Sequence, residues 1–407
     1  MEAVLPAAAL RRDLRVMSLI GGAHFFSHFY QLVLPPLFPL LKEEFGVSYA
    51  ALGVVSAVLF IASGLAQAPA GFLVDRFGAR AVLLGGLGLC SGAIALTGAA
   101  HSYWVLLPIA VAAGLGNAVF HPADYAILNA SIHPTRVGRA FGVHGITGNI
   151  GWAAAPPAAV MLAAVFGWHA AVTMLGAAGL AMTLFLASQR GAIVDHRKPA
   201  AHLPPTRLVD DMKLFLAAPI LLIFAFFVLS SMALIGVQNF SPPALMALQG
   251  VPLSFATGAL TAFLLAAAGG TFVGGFLADH TRRRDLVLAM GLLLSGLFFL
   301  VLVIGQLPSV VIMAAFIASG AALGSVGPSR DMVIREATPI GSAGKVYGFV
   351  YSGLDLGAAV TPPLFGWLMD RGEPRLIFVG VAVLSVLSIA TVTRLRRAAP
   401  ATPLVAE

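Results

Sequence analysis

Charged residues are scarce in this 407-residue sequence, at 10% of the total, whereas an ordinary soluble domain holds roughly 25%. Hydrophobic residues make up 59%, and the mean hydropathy is +0.94. The apolar residues form long runs and not the short alternating segments of a membrane β-barrel, which excludes that fold. Because about 20 apolar residues are enough to cross a bilayer as a helix, the sequence predicts an all-α, polytopic membrane protein.

Other absences narrow the function. Cys90 is the only cysteine, so one chain has neither a disulfide framework nor a cysteine metal site. The sequence has no glycine-rich loop followed by Lys and Ser or Thr, so no nucleotide cofactor is expected and an ion gradient is the expected energy source. The net charge of +7 comes from bases that lie between apolar runs. Bases in such positions set topology, so nucleic acid is not an expected partner.

Twelve apolar runs are predicted to span the membrane. Their approximate ranges are 15–41, 49–74, 81–100, 103–130, 141–165, 168–190, 214–240, 253–278, 286–305, 309–333, 346–369 and 375–393. If the N-terminus is inside, only Lys42, Arg371 and Arg375 among the 24 Lys and Arg residues lie outside. The positive-inside rule therefore predicts a multi-pass protein of the inner membrane with both termini in the cytoplasm.

The two groups of six spans resemble each other. A polar segment at 191–213 separates them, which predicts a bundle at 1–190, a cytoplasmic linker, and a second bundle at 214–407. The matching pairs are Gly71–Asp75 with Gly275–Asp279, Gly138–Gly142 with Gly344–Gly348, Pro122 with Pro328, and Gly151 with Gly357. Their near-constant spacing indicates two parallel six-helix repeats, which rock around a substrate near the membrane midplane.

The stretch GFLVDRFGAR, from Gly71 to Arg80, joins spans 2 and 3. Its glycines permit a tight turn and its bases anchor the loop, so it is either a latch between the halves or a turn that sets topology. The pattern Gly-x-Leu-x-Asp-Arg-x-Gly-x-Arg resembles the signature loop of the major facilitator superfamily, and the likeness covers essentially the whole chain. The resemblance implies that Gly71, Asp75, Arg76 and Arg80 hold the cytoplasmic side closed. Asp279 belongs to a second, degenerate copy.

Two more stretches resemble the fosmidomycin-resistance branch of this superfamily. They are HFFSHFYQLVLPPLFPLL, which begins at His24, and GLGNAVFHPADYA, which begins at Gly114. The resemblance implies a proton-driven exporter. In that branch a carboxylate directly follows His-Pro, whereas here Ala123 intervenes before Asp124, so the branch's drug is not carried over to this chain.

Ionisable side chains inside the hydrocarbon layer are costly unless they are paired or hydrated, so each marks a candidate site. Asp355 lies near the middle of span 11, and its repeat partner in span 5 is Asn149. Asp355 is predicted to carry the coupled proton, with a hydrogen-bonded packing acid as the alternative. Asp124 and Arg330 occupy equivalent positions in spans 4 and 10. They are predicted to pair as a cytoplasmic gate; the alternatives are that Asp331 pairs with Arg330 or that Arg330 snorkels to the surface.

Histidines form a second group of candidates. His24, His28 and Gln31 follow one another by about one turn on span 1, and histidine, with an ordinary pKa of about 6.5, exchanges protons near neutral pH and meets anions when charged. His24, His28 and Asp124 are therefore predicted to join Asp355 in proton coupling. A metal site is the alternative, but intramembrane acids are scarce and the His pairs lie on different helices, so no metal is expected.

Polar residues of the spans are candidates either for substrate binding or for hydrogen bonds that hold helices together. The predicted substrate-binding set is His24, His28, Gln31, His121, Tyr125, His144, Asn149, Trp152, Gln238, Asn239, Tyr351 and Asp355.

The sequence thus predicts a monomeric secondary transporter, with protons and a small molecule as its partners. The branch likeness favours an antiporter that exports a small organic compound, and an importer of an organic anion is the alternative. A membrane-embedded enzyme is disfavoured because the chain has no paired-carboxylate metal motif and no nucleophile elbow. A passive channel is disfavoured because the intramembrane polar groups are scattered singly.

Overall fold

The structure of this protein is a computed structural model. It describes residues 7–189, 191, 193, 214–281, 283–337 and 343–398. These residues form helices joined by short turns, and this part of the chain contains no β-strand. The predicted linker at 191–213 lies outside the described residues, except for positions 191 and 193.

Twelve helical spans account for most of the described residues. Span 1 is the helix Ala7–Gln31, span 2 Tyr49–Phe77, span 3 Ala79–Thr97, span 4 the pair Tyr103–Asn117 and Phe120–Ser131, spans 5 and 6 the two parts of Val137–Ser188, span 7 Ala218–Gln249, span 8 Leu253–His280, span 9 Arg284–Val301, span 10 the pair Ser309–Gly324 and Val326–Ala337, span 11 Ala343–Asp370, and span 12 Arg375–Ala398. A short helix, Phe38–Phe45, follows span 1, and Pro35–Leu37 and Pro134–Arg136 are 3₁₀ turns.

Length and apolar composition support the assignment of membrane spans. Within the described ranges, nine helical segments are long and apolar enough to cross a bilayer. One of these, Pro134–Ser188, has 55 residues and bends at Gly167, whose φ of 79° ends one span and starts the next. The helices Ala7–Gln31 and Ala343–Asp370 supply the other two. The predicted all-α fold with twelve transmembrane helices is confirmed.

Span 1 ends earlier than the sequence predicts. The apolar run reaches residue 41, but the helix stops at Gln31 and a 3₁₀ turn begins at Pro35. Pro35 and Pro36 have no backbone N–H to donate to the carbonyl groups of Gln31 and Leu32, which weakens the helix at this point. Pro242 and Pro243 do not end span 7, which continues to Gln249.

The two ends of the bundle differ in how the halves contact each other. We call the end with the loop at residues 71–80 the motif end. We call the opposite end, with Lys42 and the start of span 2 at Tyr49, the far end. Spans 2 and 11 pack extensively against each other, and at the far end a Cβ on Gly53 would overlap the carbonyl oxygen of Pro362. Gly366 likewise lies against the backbone of Tyr49. Small residues let helix backbones approach closely, so the far end is closed.

Close packing of glycines within one half gives a first testable prediction. Gly269 and Gly270 are neighbours on span 8, but only at Gly270 would a Cβ overlap a backbone atom, the carbonyl oxygen of Ala321 in span 10. At Gly269 nothing lies within 4 Å. We expect Gly270→Ala to cost about 1–3 kcal/mol through overpacking, seen as a lower midpoint of thermal unfolding in detergent. The matched Gly269→Ala variant is expected to unfold at the wild-type temperature or slightly above it; equal midpoints for both variants would contradict this packing.

Candidate functional site

The N-terminal half contains a buried group of ionisable side chains, which we call the histidine cluster: His24, His28, His121, Asp124 and His144. The Asp124 carboxylate is fully buried, with Oδ2 3.0 Å from Nε2 of His144 and 3.3 Å from Nδ1 of His24. The His24 and His144 rings stack with their centroids 3.5 Å apart. The sequence placed His24 and His28 together on span 1 and treated the others separately, and the structure brings all five together from spans 1, 4 and 5.

Close helix packing brings the cluster together. A Cβ at Gly148 on span 5 would lie within 3.0 Å of ring atoms of both His24 and His28. One turn along, a Cβ at Gly151 would overlap the carbonyl oxygen of Phe25. Two glycines on one face therefore let span 5 lie directly on span 1, which places the imidazole rings of span 1 beside His144.

Several buried polar atoms of the cluster have no hydrogen-bond partner among the described residues. They are Nδ1 of His24, His28 and His121, and Oδ1 of Asp124. The 3.3 Å contact between His24 Nδ1 and Asp124 is close enough for an ion pair but is not aligned as a hydrogen bond. Unpaired buried polar groups are costly, so packing alone does not account for this cluster.

The cluster continues into other predicted substrate-binding residues. The Trp152 ring lies 4.2 Å from the His28 ring, and its Nε1 donates a hydrogen bond to Oε1 of Gln31 at 3.0 Å. On the other side, the Tyr125 ring lies 5.2 Å from that of His144, and 42% of the residue is exposed. The predicted polar stripe on span 1 is thus joined to aromatic residues of spans 4 and 5.

The C-terminal half has a basic group at the position equivalent to Asp124. Nε of Arg330 lies 2.9 Å from Oδ1 of Asp331, and its guanidinium lies over the Phe227 ring at 4.9 Å. Arg330 also hydrogen-bonds to Tyr351. These partners come from spans 7, 10 and 11, which are the repeat equivalents of spans 1, 4 and 5.

The predicted ion pair between Asp124 and Arg330 is not formed in this structure. Asp124 contacts His24 and His144, and Arg330 contacts Asp331, the alternative partner that the sequence suggested. The reason is that equivalent positions of two repeats lie in different halves. Each charged group finds its partner among the helices of its own half.

Asp355 lies on span 11 at the contact between the halves. A Cβ at Gly64 on span 2 would lie 3.0 Å from Cβ of Asp355 and 3.4 Å from its Oδ2. Asp355 is partly buried, and within the described part of the chain its carboxylate has no hydrogen bond and no ion pair. A hydrogen bond between helices, the alternative role considered for this acid, is therefore not found. Its repeat partner Asn149 is also partly buried.

Span 7 contributes two amides to the contact between the halves. Gln238 and Asn239 are each only 1% exposed. Nε2 of Gln238 and both amide atoms of Asn239 lack hydrogen-bond partners among the described residues. The next residue, Phe240, packs on Phe38 of the N-terminal half. Within the part of the chain that the structure describes, these three amide atoms form no hydrogen bond between helices.

The predicted latch residues lie at the motif end. Span 2 ends at Phe77, Gly78 turns the chain with a φ of 92°, and Arg80 donates a hydrogen bond to the carbonyl oxygen of Ala187. Asp75 and Arg76 are exposed. Neither has an ion pair within the described ranges, so no ion pair of these two residues joins the halves among the described residues. Asp279, in the second copy, is exposed too.

Sequence reasoning missed the carboxylate that joins the halves at the far end. Asp370, the last residue of span 11, accepts hydrogen bonds from the backbone N–H groups of Tyr49 at 2.8 Å and Ala50 at 2.9 Å. Nζ of Lys42 lies 3.6 Å from the same carboxylate. Ser48, an N-cap residue, signalled that a helix starts here, but no local signal shows that the acid comes from 320 residues away.

A comparison with known families agrees with this architecture. The sequence model of the Major Facilitator Superfamily matches residues 20–259 and 228–406. The chain belongs to the major facilitator superfamily. Members of this superfamily are transporters, so a membrane transporter and not an enzyme is indicated.

Individual major facilitator proteins resemble the chain to different extents. The fosmidomycin resistance protein of Escherichia coli (strain K12) is 26% identical over 388 residues, which cover 94% of this chain and 93% of that protein. The Probable L-galactonate transporter of the same strain is 29% identical over 146 residues, or 35% of this chain and 32% of that protein. A solved bacterial homologue of the human lysosomal transporter Spinster has the same fold, with a TM-score of 0.79 at 17% identity over 96% of this chain and 99% of that chain.

Proposed function

We propose that this major facilitator protein is a proton-coupled antiporter that exports a small organic compound across the inner membrane. The observation that carries the proposal is Asp355, a carboxyl group without a partner at the contact between the halves. A proton on this group removes the cost of a charge in a low-dielectric layer. Likeness to the fosmidomycin resistance protein over nearly the full length of both chains supports export.

In this proposal the motif end faces the cytoplasm, together with both termini. The halves touch at the far end, so the substrate enters from the cytoplasm in this conformation. The homologous Spinster structure is described as inward-facing and unoccupied, which agrees with that assignment. Opening towards the outside requires the Asp370 contact to break and the Gly71–Arg80 loop to engage the other half.

Two polar groups are proposed to bind the substrate when the halves move apart. The N-terminal half offers the histidine cluster with Trp152, and the C-terminal half offers Gln238 and Asn239 of span 7. Unpartnered amides and imidazoles give a ligand new hydrogen bonds without first breaking old ones. The proton-coupling roles of His24, His28 and Asp124 stay predictions, and the proposal rests on Asp355.

A test uses inside-out membrane vesicles with an imposed pH gradient, acid inside, and a dye that reports the gradient. The compounds added are phosphonates including fosmidomycin, amphipathic antibiotics, and organic acids. An exporter carries its substrate inward and protons outward, so we expect at least one compound to collapse the gradient in these vesicles and not in vesicles without the protein.

The same panel separates the alternative function. An importer that carries an organic anion together with protons leaves the gradient intact in this assay. In right-side-out vesicles, however, the added anion draws protons in and makes the medium alkaline. The partial likeness to an L-galactonate transporter makes organic acids the compounds to test for this outcome. Alkalinisation of the medium of right-side-out vesicles, together with an intact gradient in inside-out vesicles, would overturn the antiporter proposal.

A further inference from the structure

Four side chains of the histidine cluster offer the donor set of a transition-metal site. One ring nitrogen from each of His24, His121 and His144 lies within 4.8 Å of the others. Oδ2 of Asp124 adds an oxygen ligand next to two of them. Three imidazoles and a carboxylate are donors that Zn²⁺ accepts, and imidazole also suits Cu²⁺, Co²⁺ and Ni²⁺.

The distances are near those that a metal ion needs. A tetrahedral Zn²⁺ with bonds of about 2.0–2.1 Å holds its ligand atoms roughly 3.3 Å apart. The separations from Asp124 Oδ2 to His144 Nε2 and to His24 Nδ1 are 3.0 Å and 3.3 Å, which match two edges of such a tetrahedron. The stacked rings of His24 and His144 have to turn, and the ring of His121 has to approach, before all three nitrogens point at one ion.

The unpartnered atoms point to a metal ion more than to a proton alone. A single shared proton satisfies one contact between Asp124 and an imidazole. It leaves Nδ1 of both His24 and His121, and Oδ1 of Asp124, buried without a partner. One ion at the centre coordinates nitrogens of His24, His121 and His144 and the carboxylate at the same time. Three of the four side chains are buried, with His24 1% exposed, His144 3% and Asp124 0%, and His121 is partly exposed.

We propose that His24, His121, Asp124 and His144 bind one divalent transition-metal ion of the Zn²⁺ type. His28 lies outside this ligand set and packs between the site and Trp152. The sequence predicted no metal because the histidines lie on separate helices. Spans 1, 4 and 5 meet at this point, so their separation along the chain does not prevent a shared site. The site rests on the geometry of these four side chains and not on which compound is transported or in which direction. While an ion is bound, the imidazoles of His24, His121 and His144 contact the ion and not the substrate.

The test measures metal binding to the purified full-length chain, prepared with an affinity tag that contains no histidine and stripped with a chelator. Equilibrium dialysis against Zn²⁺ with elemental analysis is expected to give one ion per chain at micromolar free Zn²⁺ or below. Co²⁺ in its place is expected to show the intense visible absorption of four-coordinate cobalt. Less than about a tenth of an ion per chain, or the weak spectrum of six-coordinate cobalt, would overturn the proposal.

Variants locate the bound ion. Asp124→Asn and His144→Gln are each expected to weaken Zn²⁺ binding at least 10-fold, as loss of a ligand or its support does. The matched control is His169→Gln, which alters an exposed pair with His101 at the far end, where the rings are 6.3 Å apart. Binding lost in the control and kept in the cluster variants would place the ion on the surface and refute the site.

Stability provides a readout for variants that fold poorly. Binding to the folded state alone raises its stability by mass action, so Zn²⁺ is expected to raise the unfolding midpoint of the wild type and of His169→Gln. It is expected to leave the midpoints of Asp124→Asn and His144→Gln unchanged. An equal rise in all four proteins would contradict the assignment. If neither cluster variant can be purified folded, the wild-type stoichiometry and cobalt spectrum decide the question.

Discussion

Inside-out vesicles that contain the Asp355→Asn variant are expected to keep their imposed pH gradient when substrate is added, whereas wild-type vesicles lose it. Asparagine has nearly the shape of aspartate but cannot carry a proton. We therefore expect proton-driven transport to fall at least 10-fold. Exchange of labelled for unlabelled substrate across the membrane is expected to continue, because it needs the rocking motion and no net proton movement.

The position of Asp355 explains why Asp355→Asn is expected to lose proton-driven transport and keep substrate exchange. The carboxyl group faces Gly64 of the other half, so its protonation state affects the surface on which the halves meet. The matched control is Glu43→Gln, which removes an exposed acid at the far end and is expected to behave as wild type. Collapse of the gradient by Asp355→Asn vesicles at the wild-type rate would exclude Asp355 as the proton carrier.

The second large effect is expected at the far end, from Asp370→Ala. The wild-type carboxylate satisfies two N–H groups at the start of span 2 and lies at the positive end of that helix. Loss of such a cap costs about 1–2 kcal/mol. Because the bonds join span 11 to span 2, this energy favours the closed far end. A loss of that size shifts the ratio of closed to open molecules roughly 5- to 30-fold.

Distance measurement across the far end detects this shift. Spin labels at positions 43 and 373, both exposed, report the separation of the halves in a chain whose Cys90 has been replaced. The wild type is expected to give mainly a short distance, and Asp370→Ala a second, longer one. Glu44→Gln serves as the control because Glu44 lies near His169 of its own half. A distance distribution that Asp370→Ala leaves unchanged would mean that this carboxylate does not hold the far end closed.

The sequence predicts the spans better than their ends. Apolar runs correctly divide spans 5 and 6, because a hydrocarbon layer imposes helix length. That the bend falls at Gly167, where glycine permits the required φ, is seen only in the structure. The end of span 1 was placed ten residues too far along, since hydropathy does not register the backbone effect of Pro35 and Pro36. Breaks within spans 4 and 10 have no comparable signal.

The candidate site was predicted residue by residue but not as an arrangement. Helical spacing correctly put His24 and His28 on one face. The free-energy cost of a charged side chain in the hydrocarbon layer drew attention to Asp124 and Asp355. Repeat symmetry then suggested Arg330 as the partner of Asp124, although the partner is His144. Which helix lies against span 1 depends on the glycines of span 5, whose effect appears only when the helices pack. The Asp370 contact was missed for the same reason.

In the proposed antiporter, substrate and protons move in opposite directions. The most direct measurement uses the purified chain in proteoliposomes, with a pH dye inside and the compound identified in the vesicle panel added in labelled form outside. Both fluxes are followed in the same sample. We expect substrate entry to be accompanied by proton exit, and we expect an acid interior to drive accumulation of the substrate. Proton entry together with the substrate, or substrate movement without proton flux, would contradict it.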